Sequence, residues 1–419
     1  MAQLLEIGST SGSAGPDHFA PKYLVGNVPA GDSAAAYTAG GRTYIPDPGD
    51  GSGIRAALAL ASITPGDVWI SPGTYALGPG QGRLVIGAGT RVWGAGITDT
   101  IIVSGTQENV VWEVGGQAEL AWMTVRHSGV MAPLGTEIIA CTGDPTYVHD
   151  FVLDASSATA GGVITAGIAY SGQGNFGFSR LHGSAIVGPQ GSGSPNPNVM
   201  WANIRGKPGL NGNSALVDVQ TVTLAAGDGG IVSLGVTGPN AQQGASFIVG
   251  RAFMVGPAVV GFYADFAPMI ISTGPSVVLA FASTIIGGAI LLNSFQYEIG
   301  GVLLLRLDQQ VPLVPGIIIS GSNPPQLPSG CDIHDCQLLQ WGDPQTGVPQ
   351  ILIGQGADVV VSAGVVNNRF ISDPNVPPVE LGAGATNCIV ALNRSVGSGG
   401  TLVTDLGAGN APNINNLWT

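Results

Sequence analysis

Hydrophobic residues along this chain fall into many short runs, rich in valine, isoleucine and leucine, that are broken by glycine, proline, asparagine and serine. One stretch departs from this pattern. After Asp50, Ile54, Leu58 and Ala61 recur at helical spacing behind candidate caps at Asp50 and Ser52, which predicts a short amphipathic helix with one apolar face. The strand Val68-Trp69-Ile70 comes next, Pro72 and Gly73 end it, and the following runs are short and bounded by glycines that permit tight turns. A helix in that position would close the open end of a stack of strands.

The intervals between strand ends predict a solenoid. Met123-Thr-Val-Arg126-His127, Phe151-Val-Leu-Asp154, Phe178-Ser-Arg180-Leu-His182 and Trp201-Ala-Asn-Ile-Arg205 align if His127, Asp154, His182 and Arg205 are equivalent, with steps of 27, 28 and 23 residues. A second series, Ile333-His-Asp335, Val366-Asn-Asn368 and Ala391-Leu-Asn393, steps by 33 and 25. Between them, over 215–310, the interval fails. The runs there alternate, as in Val217-Asp-Val-Gln-Thr-Val-Thr-Leu224 and Ile231-Val-Ser-Leu-Gly-Val236, which predicts a β-sandwich-like insert. The expected organisation is therefore an N-terminal arm or attachment segment (1–40, with Phe19, Tyr23 and Leu24 as its apolar anchors), a first β-helical part (41–214), the insert (215–310) and last coils with a C-terminal cap (311–419), Trp418 covering the end.

Composition changes the picture in two ways. Of 419 residues 67 are glycine and only 9% are charged, against roughly 25% in an average soluble domain. A chain this long would ordinarily divide into several domains, but a solenoid grows by stacking and escapes that limit. The net charge of −13 is spread without a basic stripe, which excludes a phosphate-tracking surface and makes nucleic acid an unexpected partner. Residues 266–297 carry no charge and are long enough to span a bilayer, yet Gly274-Pro275, Ser283-Thr284 and Gly287-Gly288 interrupt them. Packed strands are expected there, with no membrane span. Cys141, Cys331, Cys336 and Cys388 are too scattered for a disulfide framework and are read as buried thiols.

At Ile54-Arg-Ala-Ala-Leu58, Pro72-Gly-Thr-Tyr75 and Gly94-Ala-Gly96 the chain resembles the pectate-lyase-like family of right-handed parallel β-helices, a likeness close over about 50 residues. The family includes polysaccharide lyases, glycoside hydrolases and bacteriophage tailspikes, so the resemblance implies an all-β fold and leaves the activity open. The start Met1-Ala-Gln-Leu-Leu-Glu-Ile-Gly lacks the basic and apolar regions of a secretory signal, which favours a virion component made in a host cytoplasm over an exported enzyme. The uncharged middle region predicts a tight homo-oligomer, and the resemblance suggests a parallel trimer.

The candidate chemistry is sparse. Because rungs repeat at about 4.8 Å, the alignment above stacks Arg126, His127, Asp154, Arg180, His182 and Arg205 in one polar stripe that could bind an acidic host polysaccharide, or could be a solvated corner. Asp154, Arg180 and His182 are the candidates for catalysis, Arg180 and His182 as the cation and base of a lyase. Asp150 and Asp154, read as one strand, lie roughly 13 Å apart, too wide for a hydrolase pair. Neither the aspartate run of the family's calcium-binding lyases nor the paired Asp-Asp motif of its polygalacturonases is present; both departures weaken the enzymatic case, and no cofactor is expected. In Cys331-Asp-Ile-His334-Asp-Cys336 the two cysteines would point to opposite faces of a strand, which argues against zinc and places one cysteine inside and His334 outside. Asn368 and Asn393 are expected to form an internal amide ladder. The function expected is a phage spike or fibre that contacts host surface glycans beside other virion proteins; a lyase or hydrolase, and a capsid decoration protein, are the alternatives.

Overall fold

The computed structural model describes residues 21–27, 35–78, 83–104, 111–127, 136–158, 164–171, 178–190, 200–209, 215–236, 242–257, 259–272, 274–280, 289–293, 297–306, 314–320, 331–343, 345–354, 360–371, 375–396 and 403–418. Short strands are laid into three long sheets of 16, 13 and 12 strands. Each complete turn of the chain contributes one strand to each sheet in rotation: Thr146–His149 to the first, Val152–Asp154 to the second, Ile164–Tyr170 to the third, and then Phe178–His182 to the first again. Apart from the hairpin of Tyr37–Ala39 with Arg42–Asp47, the ladders between the described strands are parallel. This is a parallel β-helix.

The alternation seen in the sequence is what lets each strand serve two surfaces. Its inward residues stack on their equivalents in the neighbouring turns. In the first sheet Val92, Leu120, Val148, Leu181, Val219 and Val249 form one such column, each fully buried. Removing each of these side chains from water contributes about 1.5–3 kcal/mol before conformational entropy is set against it. The core is continuous along the helix rather than concentrated at a centre.

The strands of 215–310 correct the expected insert. Ser246–Val249, Met269–Ile271 and Tyr297–Gly300 continue the first sheet, Ala252–Val255, Ser276–Ala280 and Val302–Arg306 the second, and Val260–Asp265 and Ile290–Asn293 the third. A β-helical turn and a sandwich hairpin produce the same alternation. The interval was lost because turn lengths vary, Val219 to Val249 to Ile271 to Ile299 to Ile333 being 30, 22, 28 and 34 residues. The polar markers of the earlier turns are also replaced here by outward apolar residues. Among the described residues no helix is long and apolar enough to cross a membrane.

The helix α1 (Ser52–Ile63) lies over the first turn, burying Gly53, Ile54, Ala57, Leu58 and Ala61. Its cap differs from expectation. Gly51 is the N-cap residue and no side chain caps it directly. The fully buried Asp47 supplies the missing acceptor instead, its Oδ1 taking the amides of Gly49, Asp50 and Gly51 and its Oδ2 that of Ile54. Tyr23–Asn27, expected in an arm, is a strand inserted between Arg42–Asp47 and Val68–Ile70, with Tyr23 buried and its hydroxyl donating to Thr64 O at 2.8 Å. Phe19 and the Trp418 side chain lie outside the described residues. Gly94 of the Gly-x-Gly turn is required by close approach: a Cβ there would sit 2.3 Å from the Trp122 carbonyl oxygen.

The asparagine ladder is present and longer than expected. Asn368 Oδ1 accepts the Cys336 amide, Asn393 Oδ1 that of Asn368, and Asn416 Oδ1 that of Asn393. Cys141, Cys336 and Cys388 are buried free thiols, and His334 is half-exposed as expected. The Cys331 side chain lies outside the described residues.

Candidate functional site

The expected polar stripe is divided among three faces. Arg126 stacks on Asp154 in the second sheet, where Arg126 Nε lies 3.4 Å from Asp154 Oδ2, an exposed pair worth at most about 1 kcal/mol. His127, aligned with Ser104, is 2% exposed. Arg205 belongs to the third sheet, 4% exposed, with Nη2 donating to Met200 O at 2.8 Å; burial pulls its value down to about 10. Arg180 and His182 remain together as well, two residues apart on the outer face of the first sheet. Asp150 does not share a strand with Asp154. It occupies the corner between the first and second sheets in a left-handed conformation, φ 46°.

That corner builds the site. Trp122, Asp150, Thr221, Asp335, Asn367 and Leu392 take left-handed conformations at six of the first-to-second-sheet corners. At five of them, Thr221 excepted, the amide donates to the next turn, as in Trp122 N to Asp150 O and Asp150 N to His182 O, both 3.0 Å. A residue before the corner and the corner residue itself therefore project side by side. At the second of these corners they are His149 and Asp150.

His149 is clamped between carboxylates from two turns. Its Nδ1 lies 3.0 Å from Asp150 Oδ2 and its Nε2 3.2 Å from Glu119 Oε1. Trp122 Nε1 donates to the same Asp150 oxygen at 3.3 Å, and Trp93 Nε1 donates to Glu119 Oε1. Burial by itself would lower the His149 value, but the hydrogen bonds to Asp150 and Glu119 and their charges outweigh it and hold it at about 9. For Glu119 burial is likewise outweighed, by His149 and Trp93, and Asp150 is lowered chiefly by its bond to His149. At neutral pH the cluster is an imidazolium between two carboxylates.

His182 stacks on His149 with ring centroids 4.9 Å apart and planes within 8°, and Trp122 meets His149 edge-on at 6.0 Å. Burial first, and then the neighbouring His149 charge, push the His182 value down, so its imidazole is neutral. Beyond it Arg180, His182, Gly183, Asp218, Gln220 and Thr221 line an open depression of about 440 Å³. On the other side the Arg91 guanidinium lies over Trp93 at 5.0 Å and is paired with Asp67. The face thus presents a run of ionised and aromatic groups over six turns.

Chemically, a hydrolase needs a carboxylic acid whose proton is retained near neutral pH. Glu119 and Asp150 are lowered, the opposite of what that role demands. Sequence reasoning missed Glu119 and His149 because they lie 30 residues apart and meet only through stacking; the signal available was Val148-His149-Asp150, which recurs as Ile333-His334-Asp335.

No family model matches the chain, and no curated protein matches it. Among solved structures, it is similar to the catalytic unit of the thermostable GH87 α-1,3-glucanase from Streptomyces thermodiastaticus strain HF3-3, at 12% identity and TM-score 0.46 over 87% of this chain and 65% of that one. It is also similar to the mannuronan C-5 epimerase AlgE6 A-module of Azotobacter vinelandii (12% identity, TM-score 0.40, 88% and 94% covered) and to the Dettilon tailspike protein gp208 (13%, 0.38, 84% and 64%). The chain spans less than two thirds of the glucanase unit and of the tailspike. The class of this protein, a parallel β-helix, rests on its own ladders.

Proposed function

We propose that this protein is a glycan-binding β-helix, a spike or fibre component of a phage or phage-like particle, and that the outer face of its first sheet receives a host surface polysaccharide. The observation that carries this reading is the concentration of Trp69, Arg91, Glu119, Arg180, His182 and Asp218 on that one face beside an open depression. Sugars offer hydroxyls for charged partners and C–H faces for aromatic rings, and a straight face with a 4.8 Å repeat suits an extended chain. The Asp67–Arg91 and Gln220–Asp218 pairs fix their side chains before ligand arrives, which lowers the entropy lost on binding.

The outer face of the second sheet supports assembly as a homo-oligomer. Val187, Ala225, Val255, Leu279, Leu305 and Leu339 succeed one another outward, half-buried, with Phe253, Val277 and Leu303 in the column beside them. Such a strip rises about 24 Å over five rungs and lacks charge, as an interface core does. A parallel trimer, its copies related about the helix axis direction, would cover it.

Glycan-array binding and solution mass test both parts. Binding by the wild-type chain that is lost in Arg180→Ala and Asp218→Ala, without shortening of the glycan, is the expected result. A second reading is favoured by Arg180 and His182 sharing the depression: a neutral base beside a cation suits β-elimination from a uronate. Release of unsaturated products that stops in His182→Ala would install it in place of adhesion. Particle binding with no glycan binding would establish a decoration protein, and a stable monomer would remove the oligomer.

A further inference from the structure

The Glu–His–Asp clamp occurs twice on the first sheet. Glu298, His334 and Asp335 repeat the first cluster, with His334 Nδ1 2.9 Å from Asp335 Oδ2 and Nε2 3.3 Å from Glu298 Oε1. Asp335, like Asp150, sits at the corner in a left-handed conformation, φ 54° against 46°. The strands carrying the two histidines, Thr146–His149 and Cys331–His334, are six steps apart in the sheet order, about 29 Å at ~4.8 Å per rung. The copies differ in what surrounds them: Trp93 and Trp122 donate to the first clamp and Asn367 donates to Asp335 in the second, and the residue stacked on the histidine differs too. His149 is aligned with His182 of the next turn, whereas His334 is aligned with Val366. The clamp therefore holds its geometry without a second imidazole, and His182 is an addition that the clamp itself does not need.

We infer that His149, Asp150 and His182 together form a binding site for one divalent transition-metal cation of the zinc type. Ligand atoms from these three side chains all lie within 4.8 Å of one another. Two imidazoles and one carboxylate are a donor set suited to such ions, and they leave coordination positions open towards the depression beside His182. Bonds of about 2.1 Å require the donors to close to roughly 3.0–3.4 Å and the exposed His182 ring to turn out of its stack on His149, so that both ring planes contain the ion; that ring and the Asp150 carboxylate at its corner have room to move. Glu119 completes the arrangement from behind: by accepting from His149 Nε2 it leaves Nδ1 as the atom beside Asp150, and Trp93 in turn holds Glu119. Sugar hydroxyls could enter the open positions, but the site stands without that role.

The test uses the full chain dialysed against chelator and then against zinc sulfate, with metal content measured by mass spectrometry and cobalt(II) absorption as a second readout. One equivalent per chain and intense visible bands of a tetrahedral cobalt site are expected, both abolished in His182→Val, which copies the second clamp, and both retained in His334→Ala. His182→Gln, closer in shape, guards against a folding failure and is expected to lose the metal while keeping the wild-type circular dichroism. Absence of stoichiometric uptake by the wild-type chain would overturn the inference, as would uptake that survives both His182 variants or falls equally in His334→Ala.

Discussion

Asn368→Ala tests the interior ladder. Asn368 is 1% exposed, its Oδ1 accepts the Cys336 amide at 2.9 Å, and its Nδ2 donates to Ile333 O and to Asn393 Oδ1, both at 3.0 Å. Truncation leaves the Cys336 N–H and the Ile333 carbonyl without this side chain, in a core that water does not reach. Each such buried group costs about 1–3 kcal/mol, and the space vacated adds to it, so a loss of roughly 3–5 kcal/mol is expected. Asn393 Oδ1 still accepts from the Asn368 amide at 2.8 Å, so the ladder below is weakened rather than broken. Asn368→Leu separates the contributions: it restores volume, leaves both polar groups unsatisfied, and is expected to recover less than half of the loss. Urea unfolding gives the magnitude, and amide exchange at Cys336 gives its location, since solenoids can open locally. A loss below about 0.5 kcal/mol in Asn368→Ala, with Cys336 exchange unchanged, would refute the reasoning.

Three further outcomes are expected. The His334 value is raised, chiefly by its bond to Asp335 and further by Glu298 against the opposing effect of burial, while Asp335 is lowered chiefly by His334. A raised histidine stabilises the fold below its unfolded value of 6.5 and loses that contribution as pH rises through its folded value; a lowered aspartate contributes above 3.8 and loses it as pH falls through its folded value. The second clamp is accordingly strongest between those two limits, worth under about 1 kcal/mol because it is exposed, and an NMR titration placing His334 at or below 6.5 would contradict it. Gly143→Ala puts a Cβ 2.0 Å from the Gly116 nitrogen and 2.4 Å from its Cα, so neighbouring turns must separate; a loss of about 1–3 kcal/mol in thermal unfolding is expected. The control Gly26→Ala, which meets nothing within 4 Å, should melt within a degree or two of wild type. Asp47→Ala removes the acceptor for four amides at the entrance to α1 and should lower the melting temperature more than Asp50→Ala, whose mostly exposed carboxylate is bonded by the Ser52 hydroxyl and by the Ser52 amide at 2.9 Å.

Much of the fold was legible because it is local. The helix face of Ile54, Leu58 and Ala61, the Pro72-Gly-Thr-Tyr75 strand and the alternation of every later run depend on residues a few positions apart. So does the inward placement of Cys336 beside an outward His334. The asparagine ladder was legible for a second reason: Asn368 and Asn393 lie one turn apart, and a buried amide has to find a partner. The polar stripe was not legible. His127, Asp154, His182 and Arg205 recur at a turn-like interval, yet they fall in the second, second, first and third sheets. The insert failed in the same way, since 22 and 34 residues can both make one turn when only the connecting loops differ.

The residue pattern specifies a short helix followed by strands with one buried side, because alternation of apolar and polar residues at period two decides which side of a strand is buried and says nothing of its neighbours. Which turns lie against which emerges from the packing of the coils. Loop lengths that vary from turn to turn cost little free energy to change and leave no periodic trace, so the meeting of Glu119, His149, Asp150 and His182 exists only once the rungs are stacked.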